Sequence, residues 1–258
     1  MMEKRRAPSD NGDARRKKYK ERARGLGFGL GPGMSGILVT CTRGKEQQSV
    51  RELYSIFNEY ADKLYPSSAD KGEESQEEQS VEDAVARELA EMKKPHKENR
   101  FASLMTQTEC VVFIKVCNTI EPVSFVQYIL KDLVETGMKK TRFSQRLVPF
   151  SKTCYANMND ILAMARELIK SHFEKEMPIR YAIIPKIRLN DRINRDELIR
   201  SLAELVPKQH KVSLDQPELC ILIEVFKSVC GMSVVRDYYE LKKHNLNALF
   251  EEGNQEHG

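Results

Sequence analysis

The residues of this 258-residue chain best suited to chemistry are basic, and they recur in two runs. Lys139, Lys140, Arg142, Arg146 and Lys152, with Thr141 among them, fall in a stretch from Thr136 to Met158 that holds no acidic residue. The second run is Arg180, Lys186, Arg188, Arg192 and Arg195, along a predicted strand and the turn after it. Lys186 and Arg188 are two apart and so share one face of a strand. Cations without neighbouring carboxylates, beside hydroxyls such as those of Ser144, Ser151 and Thr153, suit phosphate oxygens. A nucleic-acid backbone is therefore the expected ligand. Phe143 or Phe150 offers a ring for stacking, but the alternation of that segment puts at least one of them in the core.

Catalytic patterns do not appear beside these cations. His96, His172, His210, His244 and His257 stand apart, in no H-E-x-x-H or H-x-E arrangement. The glycines at 25, 27, 29, 31 and 33 follow a basic run and precede a strand. A dinucleotide fingerprint follows a strand and opens a helix, so these glycines read as a tether. Cys41, Cys110, Cys117, Cys154, Cys220 and Cys230 are scattered without a C-x-x-C pair, which leaves no metal site to expect. They are expected to be reduced, structural thiols of an intracellular protein. Glu224, in an apolar run, is either an acid or base, or a carboxylate that faces solvent or pairs with a nearby Lys or Arg. No cofactor, no metal, no small-molecule substrate and no membrane partner are expected, since no apolar run reaches spanning length.

The net charge of +4 hides a strong asymmetry. Residues 1–24 hold ten Lys and Arg against four acidic residues, whereas 66–95 hold nine acidic residues against four basic ones. Arg15, Arg16, Lys17, Lys18, Lys20, Arg22 and Arg24 form an arm that reads as a nuclear-import signal or a non-specific RNA-binding tail. The expected location is the nucleus or nucleolus, with a cytoplasmic share. Residues 1–35 are expected to be disordered, being charged and then glycine-rich.

The elements that must carry the two basic runs follow from periodicity. Gly36 to Thr42 predicts a strand; Ser49-Val50-Arg51-Glu52 predicts a capping box opening a helix, which Pro66 stops. The acidic segment 66–99 is an insert, with one helix from Ser80 to Met92. Arg100 to Met105 and Cys110 to Val116 predict a hairpin. Pro122 opens a helix with Val126, Ile129, Leu130, Leu133 and Val134 on its stripe and Gly137 at its cap, before a strand from Gln145 to Pro149. The order β-α-β-β-α-β is that of a ferredoxin-like domain, placed at 36–150. A second α/β block, 151–236, holds a helix from Asn159 to Phe173, a strand from Arg180 to Leu189 that Pro185 marks as an edge or a bulge, and a helix capped at Asn194. Strands at Leu219 to Lys227 and Met232 to Val235 close it, and a charged helix with a tail is expected over 237–258.

Within that block, Val212, Leu214 and Pro217, followed by Ile221, Ile223, Glu224 and Val225, resemble the THUMP domain, an RNA-binding module of tRNA-modifying proteins. Asp215 and Pro217 specify the turn, and the apolar run after it reads as an interior strand. The resemblance implies a ferredoxin-like domain followed by a THUMP α/β core, with family-style boundaries near 120–230. It also implies recognition of the tRNA acceptor end. Enzymes of the family join this module to a further catalytic domain, which is not expected here. The chain is more similar to the family's non-catalytic members. That similarity implies an adaptor that presents tRNA to an RNA cytidine acetyltransferase, for N4-acetylcytidine in the D-arm of leucine and serine tRNAs. Service to another tRNA-modifying enzyme, an unrecognised RNA-modifying activity of its own and a small-ligand regulatory module are the alternatives.

Overall fold

Residues 29–66, 100–174 and 177–250 are described by the structure, a computed structural model. The basic arm 1–24 and nearly all of the acidic insert, including its expected helix, lie outside these residues. The first unit runs β1 (Gly36–Cys41), α1 (Glu46–Leu64), β2 (Phe101–Leu104), β3 (Val111–Val116), α2 (Pro122–Thr136) and β4 (Ser144–Phe150). Its strands pair antiparallel in the order β2-β3-β1-β4, the ferredoxin-like arrangement that the element order predicts. The second unit runs β5 (Lys152–Tyr155), α3 (Met158–Phe173), β6 (Arg180–Arg188), α4 (Arg195–Leu205), β7 (Lys211–Val212), β8 (Leu219–Phe226) and β9 (Val229–Val235). Its sheet is mixed, in the order β5-β9-β8-β6-β7.

Helix ends follow local chemistry with one exception. Glu121 caps α2 by accepting the N–H groups of Val123 and Ser124, and Gly137 ends the helix at φ 64°. Asn194 caps α4 through the N–H groups of Asp196 and Glu197. The expected capping box at Ser49 and Glu52 is overturned: α1 begins at Glu46, and Lys45 precedes it without a side-chain cap. Ser49 is instead buried on the helix and shares a 2.8 Å hydroxyl hydrogen bond with Ser144. Val134, expected on the buried stripe of α2, is 52% exposed because it lies past the end of the sheet-facing seam.

Alternation along the strands builds three apolar layers. Ile37, Val39, Val112, Ile114 and Leu147 point toward α1 and α2; Ile221, Ile223, Val225, Cys230 and Met232 point toward α3 and α4. The alternate residues of both sheets, among them Leu38, Phe113, Val148, Phe150, Ala182, Cys220 and Leu222, share a third cluster. The two sheets thus meet face to face, each backed by its own helix pair. This explains why β8 and β9 are buried along their whole length. The approach is close: a methyl on Gly231 would stand 2.2 Å from the Phe150 ring, and the Ser233 hydroxyl donates across the gap to the Pro149 carbonyl at 2.7 Å.

Two expectations about the ends of the fold are corrected. Residues 29–35, expected to be disordered, are held down: the Gly33 N–H donates to the Thr153 carbonyl at 2.8 Å, the Met34 N–H to the Thr153 hydroxyl at 2.8 Å, and Leu30 and Met34 pack on the inter-sheet layer. Gly33 takes φ 72°, a conformation open to glycine at little cost. Among the described residues no α-helix follows residue 237. Asp237, Lys242, Lys243 and His244 all take positive φ, which breaks a helix, and only a short 3₁₀ turn forms at Lys242–His244. The segment returns instead to the first domain, where Leu241 and Leu246 join the core under α1 and α2. Burying two leucines is worth about 1.5–3 kcal/mol each, enough to hold the strap down. Pro185 lies on an edge rather than a bulge, since β7 flanks β6 only at Arg180 and Tyr181 and the β6–β8 register is unbroken. No described helix is long and apolar enough to cross a membrane.

Candidate nucleic-acid interface

The inter-sheet layer is apolar at one end and charged at the other. On β6, Ala182 and Ile184 face the first sheet, and the same parity carries Lys186 and Arg188 to that side. On β4, the parity of Val148 and Phe150 carries Arg146 there, opposite Thr40 of β1. These side chains converge on a cleft of about 400 Å³ that also takes in Gln145 and Asn245. One predicted basic run supplies Arg146 and the other supplies Lys186 and Arg188, from two different domains.

Glu224 organises the cations. It lies beside Lys186 in the β6–β8 register, its side chain 4% exposed, with Oε1 3.5 Å from Lys186 Nζ and Oε2 3.5 Å from Arg188 Nε. Of the two sequence readings, the paired carboxylate is the one observed. Oε2 accepts no hydrogen bond among the described residues, so its pairing with Arg188 is electrostatic. Burial holds the Lys186 ammonium below the usual lysine range, Glu224 pulls it up, and Arg146 and Arg188 push it down. Three cations against one carboxylate leave the cleft with a positive excess, partly shielded from water. That is the arrangement in which a phosphate oxygen gains most.

The strap closes one wall. The Asn245 backbone bridges to Arg146, the Leu246 N–H donates to the Gln145 carbonyl at 2.8 Å, and buried His244 places Nδ1 3.2 Å from the Leu147 carbonyl. Burial, with Arg146 nearby, lowers the His244 pKa to about 4 despite that carbonyl contact, so the imidazole is neutral at pH 7.

The remaining predicted residues do not join the cleft. Lys140 pairs with Glu59 at 2.7 Å and lies 4.7 Å from the Tyr60 ring centre; Thr141 is buried, which takes its hydroxyl from the surface. Lys139 is exposed, and Arg142 lies over the Phe143 ring at 5.5 Å. The loop bearing them is fixed by Glu52, whose carboxylate accepts the N–H groups of Arg142, Phe143 and Ser144 at 2.7, 3.0 and 3.1 Å. Lys152 pairs with Glu167, and Arg180 with Glu218 at 3.2 Å, so both are partly neutralised. Phe150 is core, while Phe143 is half-buried. Thr40, Gln145 and Asn245 went unpredicted; only tertiary structure brings them to the cleft. Among the described residues no group of three His, Cys, Asp or Glu is placed to hold a metal.

Comparisons with known proteins agree with this architecture. The THUMP domain family matches residues 155–235. THUMP domain-containing protein 1 of Homo sapiens is 36% identical over 231 residues, covering 85% of this chain and 65% of that protein. Its Drosophila melanogaster homolog is 36% identical over 249 residues, covering 85% of this chain and 75% of its own. The Saccharomyces cerevisiae protein named tRNA acetyltransferase TAN1 is 33% identical over 280 residues, covering 97% of this chain and 96% of its own. Matched over most of its length by such relatives, the chain belongs to the THUMP domain family.

Proposed function

We propose that this chain is a non-catalytic tRNA-binding adaptor that presents tRNA to an RNA cytidine acetyltransferase. The product would be N4-acetylcytidine in the D-arm of leucine and serine tRNAs. The observation that carries the reading is the convergence of Arg146, Lys186 and Arg188, from two domains, on one cleft. A rigid two-domain cleft fixes an RNA backbone in position and orientation, which is what an adaptor contributes to a partner's active site. The kinship with a yeast protein named for tRNA acetylation supports the choice of reaction. That same name also favours a catalytic reading, in which the chain transfers the acetyl group itself.

The two readings separate in one experiment. Purified chain should bind tRNA, with log affinity falling as log salt rises by about 0.7–0.9 per phosphate contact. It should form no acetylcytidine with acetyl-CoA and ATP alone, and the acetyltransferase should restore product. Arg146→Gln, which removes a cation without leaving Glu224 unpaired, should flatten the salt slope by about one contact and lower the yield. Acetylation by the chain alone would establish the catalytic reading. An unchanged slope in Arg146→Gln would move the RNA to another face.

A further inference from the structure

Four of the six cysteines fit the expectation of inert structural thiols; Cys154 and Cys230 do not. They are direct partners in the antiparallel β5–β9 register. Both side chains face α3, since Cys230 belongs to the core cluster on that side and Cys154 packs against it. The Ala156 N–H donates to the Ser228 carbonyl at 2.9 Å, which makes 156 and 228 a hydrogen-bonded pair. Two residues along, 154 and 230 are a pair of the same kind, with Cα atoms about 5.5 Å apart. A disulfide spans Cα separations of about 4.4–6.8 Å, and a pair of this kind falls within that reach. β5 is the edge strand of its sheet, and Cys154 is only half-buried, whereas Cys230 is closed to solvent.

We propose that Cys154 and Cys230 form an oxidation-sensitive dithiol that a hydroperoxide converts into a cross-strand disulfide. Exposure divides their roles, with Cys154 half-buried on the edge strand and Cys230 behind it closed to solvent. The neighbouring thiol holds Cys154 below the ordinary thiol pKa against burial and the Asp160 carboxylate, and raises Cys230 well above it, with burial adding to the rise. Cys154 is thus the thiolate that meets the oxidant, and Cys230 the resolving thiol behind it. The Cys154 sulfur attacks the peroxide, the O–O bond breaks, and a sulfenic acid and one water (or alcohol) form. The Cys230 sulfur then attacks the sulfenyl sulfur; the S–S bond forms, the S–O bond breaks, and the hydroxyl leaves as water with the thiol proton. In total two thiols lose two electrons and two protons, and one peroxide is reduced. Cys110 stands beside buried Cys41, whose N–H donates to its carbonyl at 3.0 Å, but burial and the nearby Glu46 carboxylate push the Cys41 thiol up to about 11; Cys117 has no cysteine opposite it.

The test uses the reduced full chain treated with hydrogen peroxide, read by intact mass and by peptide mapping. The expected result is a loss of two hydrogens, two fewer titratable thiols, one crosslinked pair of peptides holding 154 and 230, and reversal by dithiothreitol. Cys110→Ala and Cys117→Ala should retain the crosslink. Cys154→Ala should lose it, and its melting temperature, together with the wild-type crosslink itself, guards against misfolding as the cause. Three results overturn the proposal: Cys154 found only as a sulfinic acid or mixed adduct, a crosslink between other cysteines, or Cys110 and Cys117 oxidised while Cys154 and Cys230 stay reduced.

Discussion

Protonation of His244 should loosen the strap that joins the two domains. The imidazole is fully buried beside Tyr238, with ring centres 5.1 Å apart, and its pKa is lowered from 6.5 to about 4. A histidine with a depressed folded pKa resists protonation in the native state, while the unfolded chain takes up the proton freely. Stability is therefore complete above the unfolded value of 6.5 and declines as pH falls toward 4. Between pH 7 and pH 5 the loss comes to about 2 kcal/mol, which lowers the melting temperature by about 4–8 °C in a chain of this size. The depressed carboxylates Glu46, Glu59 and Glu218 act below their ordinary value of 4.5, outside that window. The assay is thermal unfolding of wild type and His244→Gln at pH 7, 6 and 5; glutamine keeps a donor for the Leu147 carbonyl but takes no proton. Wild type should lose stability over this range and the variant much less. Equal losses in the two proteins would show that His244 does not carry the effect.

Removing the carboxylate of Glu224 with Ala leaves Lys186 and Arg188 facing one another and should cost about 1–3 kcal/mol in urea unfolding, while Glu224→Gln costs less. Gly231→Ala should destabilise by about 1–3 kcal/mol through the Phe150 ring, and Phe150→Leu in the same chain should recover part of that loss in a thermal melt. Deleting residues 1–24 should leave the melting temperature unchanged and, on our proposal that the arm directs nuclear import, reduce nuclear accumulation of a fluorescent fusion; wild-type distribution would remove that role.

The first domain was readable because its signals are local. Pro122 and Gly137 bracket α2, short apolar runs mark β1, β3 and β4, and the β-α-β-β-α-β order leaves one familiar sheet. Signals that act at a distance misled. Ser49 and Glu52 have the spacing of a capping box, yet the same hydroxyl and carboxylate bond residues 142–144, some ninety positions away, and local spacing does not distinguish the two uses. The strap failed for a related reason: Tyr238, Tyr239 and Leu241 suggest a helix, but Leu241 and Leu246 find their partners in the first domain's core, the tyrosines theirs in the inter-sheet layer, and a turning backbone serves both. In the cleft, parity along β6 was enough to pair Lys186 with Arg188 in advance. That Arg146 joins them, and that Lys140 turns away to Glu59, depends on how two sheets stack, which no single strand encodes.

The strap also orders events during synthesis. Leu241 and Leu246 complete the core beneath α1 and α2, so the domain made first cannot close until the domain made second has been translated. Until then the earlier domain holds an unfilled apolar seam beside Leu147. A chain stopped after residue 236 should be cut within its ferredoxin-like half by a protease that spares the full chain. The part that begins to fold first is the part that finishes last.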